Sequence, residues 1–177
     1  KLVILETGCG SSTLALALYC ALYGGKLYSW DINQTKGSLI RTVLNESIGR
    51  SLNVDMNKIW TFIGTSSTNP YTGIEVLKEL SLKVDYCFLD SAHNSEHLLN
   101  ELNCIEKISS KNFYVALDDA YTNQAKINYP YVNMVRNKIG LKKVNDKKDN
   151  MSNSFYKEVN KFYLSKKYSI KTLTNNI

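Results

Sequence analysis

The chain has 177 residues, of which 44% are hydrophobic, so it has room for one domain with a sizeable core and too few residues for two of ordinary size. Much of its formal net charge of +6 comes from lysines in residues 141–150 and 161–171, and Asp146, Asp149 and Glu158 lie among or between these two segments. This mixture is typical of solvated loops rather than of a nucleic-acid-binding face. No apolar run is long enough to cross a bilayer, and the first residues lack the basic-then-apolar layout of a signal peptide.

The four cysteines, Cys9, Cys20, Cys87 and Cys104, are widely spaced, with no CxxC pair and none beside a histidine. Such spacing does not indicate a zinc site or a disulfide framework, and it favours reduced, mostly buried thiols. Together with the composition it predicts a single cytoplasmic domain over residues 1–177 that does not bind a membrane. Nucleic acid is not the favoured partner, and RNA binding is kept as the minority alternative. Assembly into a homo-oligomer is left open.

Strand-like and helix-like segments alternate along the chain. Short apolar runs predict strands over residues 2–6, 26–31, 59–64, 84–90 and 112–119. Between them, helices are predicted over residues 12–23, 34–48, 71–80 and 95–108. The alternation predicts an α/β fold with right-handed crossovers, that is, a Rossmann-like, doubly wound and mostly parallel sheet with ligands at the carboxyl ends of its strands.

The alternation changes after residue 119. A helix is predicted over 131–139, and LKKVN (141–145) and KFYLSKK (161–167) look like two strands close in sequence. We therefore expect a C-terminal antiparallel strand pair at one edge of the sheet. The chain also begins directly with the first predicted strand, so a segment that would cover the site from the N-terminal side is expected to be absent.

A glycine loop follows the first predicted strand, in LETGCGSSTLALAL at residues 5–18. Gly8 and Gly10 allow positive φ and close approach of a ligand to the backbone, and the following helix offers unpaired N–H groups. Thr13 stands where a dinucleotide-binding GxGxxG motif has its third glycine, and no Gly-Lys-Ser/Thr follows. The loop is therefore predicted to cradle a polar ligand, with neither NAD nor a nucleotide phosphate indicated.

Two further loops at the same sheet edge carry polar groups. Asp31 ends the second predicted strand about 20 residues after the glycine loop, where a carboxylate of this topology accepts hydrogen bonds from ribose hydroxyls. The alternative is a helix cap or a turn. GTSS, residues 64–67, follows the third strand and could border an adenine ring, or it is an ordinary loop.

In order and spacing these segments resemble the class I S-adenosylmethionine-dependent methyltransferases, from LETGCGSST through WDIN and VDYCFLDSAH to YVALDDA. The predicted C-terminal strand pair is also similar to that family. The resemblance implies S-adenosylmethionine as cofactor, with the glycine loop against its methionine part and Asp31 on its ribose. The cofactor-binding residues expected on this basis are Glu6, Gly8, Cys9, Gly10, Ser12, Asp31, Ile32, Gly64, Thr65, Ser66 and Asp90.

Carboxylates follow two neighbouring predicted strands, Asp90 after the fourth and Asp118 and Asp119 at the end of the fifth. Such a cluster repels itself unless protons or a cation intervene, and oxygen ligands suit Mg²⁺ better than zinc. The alternative is that one or two of them cap the next helix or turn. FLDSAHNSEHLLNEL followed by YVALDDAY resembles the metal-dependent O-methyltransferases of catechols and macrolide sugars, whose matching positions hold Mg²⁺.

A general base is harder to assign. Ala92 stands where some of the sugar enzymes carry a second aspartate, so His93 is the nearest titratable group beyond Asp90. Imidazole has a pKa suited to taking a hydroxyl proton, although His93 could equally pack at the start of the next helix. His93 and Asp90 are the predicted catalytic residues, and His97 is expected to face solvent or to be structural.

The predicted function is Mg²⁺-assisted methylation of a hydroxyl on a small-molecule acceptor such as a sugar, diol or catechol. Alternatives are an RNA or protein methyltransferase and a non-catalytic cofactor-binding module. DSAH after the fourth strand differs from the Asn/Asp-Pro-Pro-aromatic pattern of base N-methylating enzymes, and Thr13 disfavours an NAD-dependent oxidoreductase.

Overall fold

The computed structural model describes residues 1–92, 95–118 and 137–138. Five strands lie in this part of the chain: β1 Leu2–Thr7, β2 Gly25–Trp30, β3 Trp60–Ile63, β4 Val84–Leu89 and β5 Ser109–Leu117. The helices are α1 Ser11–Tyr23, α2 Gln34–Val43, α3 Arg50–Leu52, α4 Val76–Glu79 and α5 Ser95–Ile108. The chain divides into two compact units, Lys1–Asp118 and Asp119–Ile177, and the first contains all of these elements. A single domain over 1–177 stays a prediction.

The five strands form one sheet in the order β3-β2-β1-β4-β5, and all four neighbouring pairs are parallel. Right-handed crossovers in this order place α1 and α2 on one face of the sheet and α4 and α5 on the other. The direction of strand progression reverses between β1 and β4, which is where such sheets open a crevice for ligands. The Rossmann-like prediction is confirmed, whereas the antiparallel pair predicted at 141–145 and 161–167 lies outside the described residues.

The helix boundaries follow local chemistry. Asn33 caps α2 by accepting a hydrogen bond from the Lys36 N–H at 3.0 Å, and α1 ends at Gly24 with φ of +80°. The predicted helix over 34–48 changes at Leu44 into a π-helical segment, Leu44–Gly49.

The predicted helix over 71–80 was mostly wrong, because only Val76–Glu79 is helical. The Asn69 side chain accepts hydrogen bonds from the N–H groups of Tyr71 and Thr72, at 2.9 and 3.0 Å. These bonds give the backbone an alternative to the helix. A Cβ on Gly73 would lie 2.4 Å from the carbonyl oxygens of Ser67 and Asn69, so the turn is also too tight for other residues.

Apolar side chains fill both faces of the sheet. The face under α1 and α2 buries Ile4, Cys9, Ala17, Cys20, Leu27, Ile40, Leu44, Met56 and Trp60. All four cysteines are free thiols and three are buried, as predicted. Within the described residues, no helix is both long and apolar enough to span a membrane.

Candidate functional site

The glycine loop lies where the ends of β1, β2 and β4 meet. Gly8 has φ of +82°, and its N–H donates to the Trp30 carbonyl oxygen at 2.8 Å. A Cβ on Gly8 would lie 1.8 Å from the Asp90 carbonyl oxygen, so only glycine fits between the two loops. Gly10 differs, because no heavy atom of the described residues would come within 4 Å of a Cβ there. Packing within the described residues therefore does not require a glycine at this position, and the Gly10 backbone is open on the side where a side chain would project.

A buried carboxylate holds this loop from behind. Glu6 is fully buried and accepts hydrogen bonds from the hydroxyls of Ser12, Thr13 and Ser29, each at 2.7 Å. Thr13 in turn accepts the Gly10 N–H at 2.9 Å, so the residue at the third-glycine position ties the loop to Glu6. Burial raises the pKa of Glu6, and the three hydroxyl hydrogen bonds oppose that rise. Direct contact of Glu6 and Ser12 with a cofactor stays a prediction.

Cys9 turns its side chain inward. The thiol is 5% exposed and packs in the core with Ile4 and Ala17. Burial, aided by the charges of Glu6 and Asp31, raises the pKa of the Cys9 thiol to about 12, so it stays neutral at physiological pH. What Cys9 offers to a ligand is therefore its backbone rather than its sulfur.

Asp31 lies at the end of β2, directly beside the glycine loop. Its carboxylate accepts the Cys9 N–H at 2.9 Å through Oδ2 and the Asn33 N–H at 2.8 Å through Oδ1. Lys36 Nζ lies 2.6 Å from Oδ2 and also donates to the Cys9 carbonyl oxygen at 2.9 Å. Burial opposes ionisation of Asp31, but the hydrogen bonds from Lys36, Asn33 and Cys9 outweigh it and lower the pKa of the carboxyl group. An ionised acceptor is thus fixed next to the bare backbone of the loop.

The loop after β3 has an exposed part and a buried part. Thr65 Oγ1 lies 2.9 Å from Thr72 Oγ1 in the exposed part of the loop, and Ile32, after β2, is 77% exposed. Ser67 instead is 4% exposed and donates its hydroxyl to Glu101 on α5. The last residue of the GTSS motif is therefore a buried anchor.

Gly64 and Ser66 complete the predicted adenine-side group. A Cβ on Gly64 would lie 3.1 Å from Gln34 Cγ, so this glycine packs closely against the start of α2. Ser66 Oγ lies 3.2 Å from Thr68 Oγ1 within its own loop. Contact of either residue with an adenine ring stays a prediction.

Asp90 and Asp118 extend two adjacent strands by one residue each. The Asp90 N–H donates to the Thr7 carbonyl oxygen at 2.8 Å, and the Asp118 N–H donates to the Leu89 carbonyl oxygen at 3.0 Å. Since Leu89 pairs with Leu117, both aspartates lie at the same edge of the sheet, Asp90 half-buried and Asp118 exposed. The charge of Asp90 also contributes to the raised pKa of Glu6, after burial as the main cause.

The predicted metal site is incomplete in the described part of the chain. Residues 1–92, 95–118 and 137–138 contain no group of three His, Cys, Asp or Glu side chains placed to hold a metal ion. The third predicted ligand, Asp119, and the predicted base, His93, both lie outside these residues. His97, which was expected to face solvent or to be structural, is half-buried, with Nε2 3.0 Å from Ser67 Oγ.

Sequence analysis missed Lys36 and Glu101. Lys36 follows Asp31 by five residues and lies in the first turn of the next helix, a spacing that could have suggested an ion pair. Glu101 is a charged residue between Leu98 and Ile105 on the apolar face of its helix, and such a position is itself a signal of a buried polar contact.

Several solved structures resemble this chain. The MycE methyltransferase from the mycinamycin biosynthetic pathway, in complex with Mg and SAH, is 12% identical with a TM-score of 0.51, and the match covers 100% of this chain and 40% of that one. PKMT2 from Rickettsia typhi, in complex with AdoHcy, is 15% identical with a TM-score of 0.50, covering 91% of this chain and 29% of that one. TrmN from Thermus thermophilus is 18% identical with a TM-score of 0.44, covering 66% and 32%.

The chain spans less than half the length of each of these proteins, and at these identities the likeness concerns the fold. The comparison with curated proteins found no match. A family model described as a methyltransferase domain matches residues 5–120, which include the glycine loop, Asp31 and the two described strand-end aspartates. The chain therefore belongs to the methyltransferase domain family.

Proposed function

We propose that this chain transfers the methyl group of S-adenosylmethionine to a hydroxyl oxygen of a small molecule, such as a sugar, a diol or a catechol, with the help of Mg²⁺. The observation that carries the proposal is the position of Asp90 and Asp118 at the ends of adjacent parallel strands, next to the glycine loop. An acidic edge beside a methyl donor suits activation of an oxygen acceptor.

The residues of the glycine loop fit the cofactor. Gly10 leaves its backbone open, and Asp31 is an ionised acceptor suited to ribose hydroxyls. When bound, S-adenosylmethionine supplies an electrophilic methyl group on a sulfonium, so the task of the protein is to hold donor and acceptor in line. The close packing of the Gly8 backbone against the Asp90 carbonyl group fixes the glycine loop relative to the acidic edge and so serves that task.

The described carboxylates also fit a hard cation. Neighbouring strands lie about 4.8 Å apart, so side chains at 90 and 118 can reach one ion between them. Asp119 is proposed as the third ligand. When bound, Mg²⁺ supplies positive charge that lowers the pKa of an acceptor hydroxyl. The MycE complex holds both Mg and SAH, which supports this pairing on the shared fold.

His93 is proposed to accept the hydroxyl proton. It follows Asp90 by three residues in the sequence, and a neutral imidazole accepts a proton near physiological pH. His93→Gln is expected to lower turnover by roughly 100-fold while leaving the affinity for S-adenosylhomocysteine unchanged. An unaltered pH–rate profile in that variant would assign the proton to another group.

The proposed Mg²⁺ site is tested by titrating Mg²⁺ into the protein saturated with S-adenosylhomocysteine. Asp118→Asn is expected to weaken Mg²⁺ binding by about tenfold or more, to retain S-adenosylhomocysteine binding, and to keep or raise the Tm because a repelling charge is removed. The matched control is Asp55→Asn, since Asp55 caps a short 3₁₀ helix with a side chain that is 48% exposed.

Activity gives the second readout. Methyl transfer from labelled S-adenosylmethionine to catechol, used as the probe acceptor, is expected to stop in EDTA and to return with Mg²⁺ or Mn²⁺. Full transfer in EDTA, or equal Mg²⁺ affinity for Asp118→Asn and Asp55→Asn, would remove the metal from the reaction. The chain would then be proposed as a metal-independent methyltransferase.

A further inference from the structure

A group of polar side chains lies within the apolar layer between the sheet and α5. Glu101 is fully buried, and its Oε1 accepts hydrogen bonds from Ser67 Oγ at 2.5 Å and from Ser91 Oγ at 2.8 Å. His97, one helical turn earlier, brings Nε2 to 3.0 Å from Ser67 Oγ and 3.2 Å from Glu101 Oε1. These four residues are called the carboxylate cluster below.

The carboxylate cluster joins two loops that are distant in sequence. Ser67 belongs to the loop after β3, and its carbonyl oxygen accepts the Ile74 N–H at 2.8 Å. Ser91 directly follows Asp90, whose carbonyl oxygen lies against Gly8. A continuous path of contacts therefore runs from the glycine loop, through the turn after β4, to the loop after β3.

Packing alone does not account for a carboxylate at this position. The neighbouring buried residues of α5 are Leu98, Leu102 and Ile105, and a leucine in place of Glu101 would bury no charge. Among the described residues, Glu101 Oε2 has no hydrogen-bond partner although it is buried. A buried carboxylate with one unpaired oxygen is costly, so the favourable contribution of Glu101 lies in the groups that its other oxygen holds, which are the Ser67 and Ser91 hydroxyls and His97.

We propose that Glu101 is a positioning residue for cofactor binding, which fixes the loop over residues 64–67 and the Asp90–Ser91 turn in one arrangement. The first loop is the proposed adenine side of the site, and this inference rests on that proposed position. The turn backs the glycine loop, which lies on the methionine side. Glu101 touches neither part of the cofactor and acts through Ser67 and Ser91.

The two serines give different expectations for two ligands. S-adenosylhomocysteine contacts both sides of the site, whereas adenosine lacks the amino-acid part. Ser67→Ala loosens the adenine side and is expected to raise the Kd of both ligands by about tenfold. Ser91→Ala loosens the turn behind the glycine loop and is expected to raise the Kd of S-adenosylhomocysteine by about tenfold, with adenosine changed by less than about twofold.

The carboxylate itself is tested with a graded pair of variants. Glu101→Gln retains an oxygen that can accept from both serines, so both Kd values are expected to stay within about threefold of the wild type. Glu101→Leu removes the acceptor and is expected to weaken both ligands by about tenfold or more. Ser38→Ala is the matched control, because Ser38 is exposed and its hydroxyl donates, among the described residues, to the Gln34 carbonyl oxygen of its own helix at 3.1 Å.

Isothermal titration of both ligands and thermal unfolding of every variant decide between positioning and plain stabilisation. The proposal is wrong if Ser67→Ala and Ser91→Ala lower the Tm but leave both Kd values equal to those of Ser38→Ala. It is also wrong if Ser91→Ala weakens adenosine by the same factor as S-adenosylhomocysteine. Neither titration needs Mg²⁺ or a methyl acceptor, so failure of the proposed O-methylation would leave these results unchanged. If Glu101→Leu does not fold, the two serine variants still test the proposal.

Discussion

Replacing Asp31 with asparagine should weaken cofactor binding through the ribose hydroxyls. The carboxylate is ionised, its side chain is 8% exposed, and Cys9 and Lys36 hold it at the glycine loop. Hydrogen bonds to a charged acceptor contribute about 1.5–3 kcal/mol net. Since every 1.4 kcal/mol is about tenfold in affinity, the Kd of S-adenosylhomocysteine should rise by about 10- to 150-fold.

The same substitution also costs stability, and the structure indicates how much. The Cys9 N–H bonds to Oδ2 and the Asn33 N–H to Oδ1, whereas an asparagine amide has one acceptor oxygen. One of these N–H groups loses its partner, at a cost of about 1–3 kcal/mol. The ion pair with Lys36, whose side chain is 42% exposed, adds about 0–1 kcal/mol. Binding must therefore be measured well below the Tm of the variant.

A chemical double-mutant cycle separates the two effects. S-adenosylhomocysteine and its 2′-deoxy analogue are titrated calorimetrically into the wild type and into Asp31→Asn. If Asp31 binds the ribose, the wild type should lose affinity for the deoxy analogue by the factor worked out above, whereas the variant should discriminate little between the ligands. Equal discrimination by both proteins would refute the reasoning and leave Asp31 as a loop-holding residue only.

Gly8→Ala should destabilise the fold by more than about 4 kcal/mol in urea unfolding, because φ is +82° and the new Cβ would lie 1.8 Å from a carbonyl oxygen at the end of β4. Gly10→Ala meets no described atom, so it should keep its Tm and weaken S-adenosylhomocysteine by about tenfold or more; unchanged affinity would contradict an open cofactor face. The lowered pKa of Asp31 means that its ionised form, and the stability it contributes, are present above its ordinary value of 3.8 and are lost only as pH falls through the lower folded value. Lys36→Met should raise that pKa. The Kd of S-adenosylhomocysteine should therefore differ between pH 4.5 and pH 7 in the variant and agree between them in the wild type. The same pH dependence in both proteins would be evidence against the ion pair. Thr13→Val removes a buried hydroxyl with two partners and should cost about 1–3 kcal/mol, measured by thermal unfolding with Thr13→Ser as the control that retains stability.

The sequence by itself determined the sheet and the order of the loops at the carboxyl ends of its strands. Runs such as LVILE and VDYCFL are short, apolar and separated by helical patterns, and this periodicity depends only on neighbours in the chain. Gly8 and Asp31 were found in the same way, because strand ends of a parallel sheet necessarily share one edge. The prediction of helix boundaries was limited by local turn chemistry. The Asn69 side chain accepts backbone hydrogen bonds, so α4 begins only at Val76, and helix propensity alone does not predict that competition.

Only the tertiary structure decided which polar groups meet. Ser67 and Glu101 are 34 residues apart in the sequence. Nothing in the residues around either one indicates that the last serine of the GTSS motif is buried and donates a hydrogen bond to a residue of α5. Lys36 likewise reaches the Cys9 carbonyl across 27 positions. Such contacts depend on how the loops are arranged at the edge of the sheet and on which polar side chains become buried. A buried charged group needs a hydrogen-bond partner, and only the fold decides which donor lies close to it.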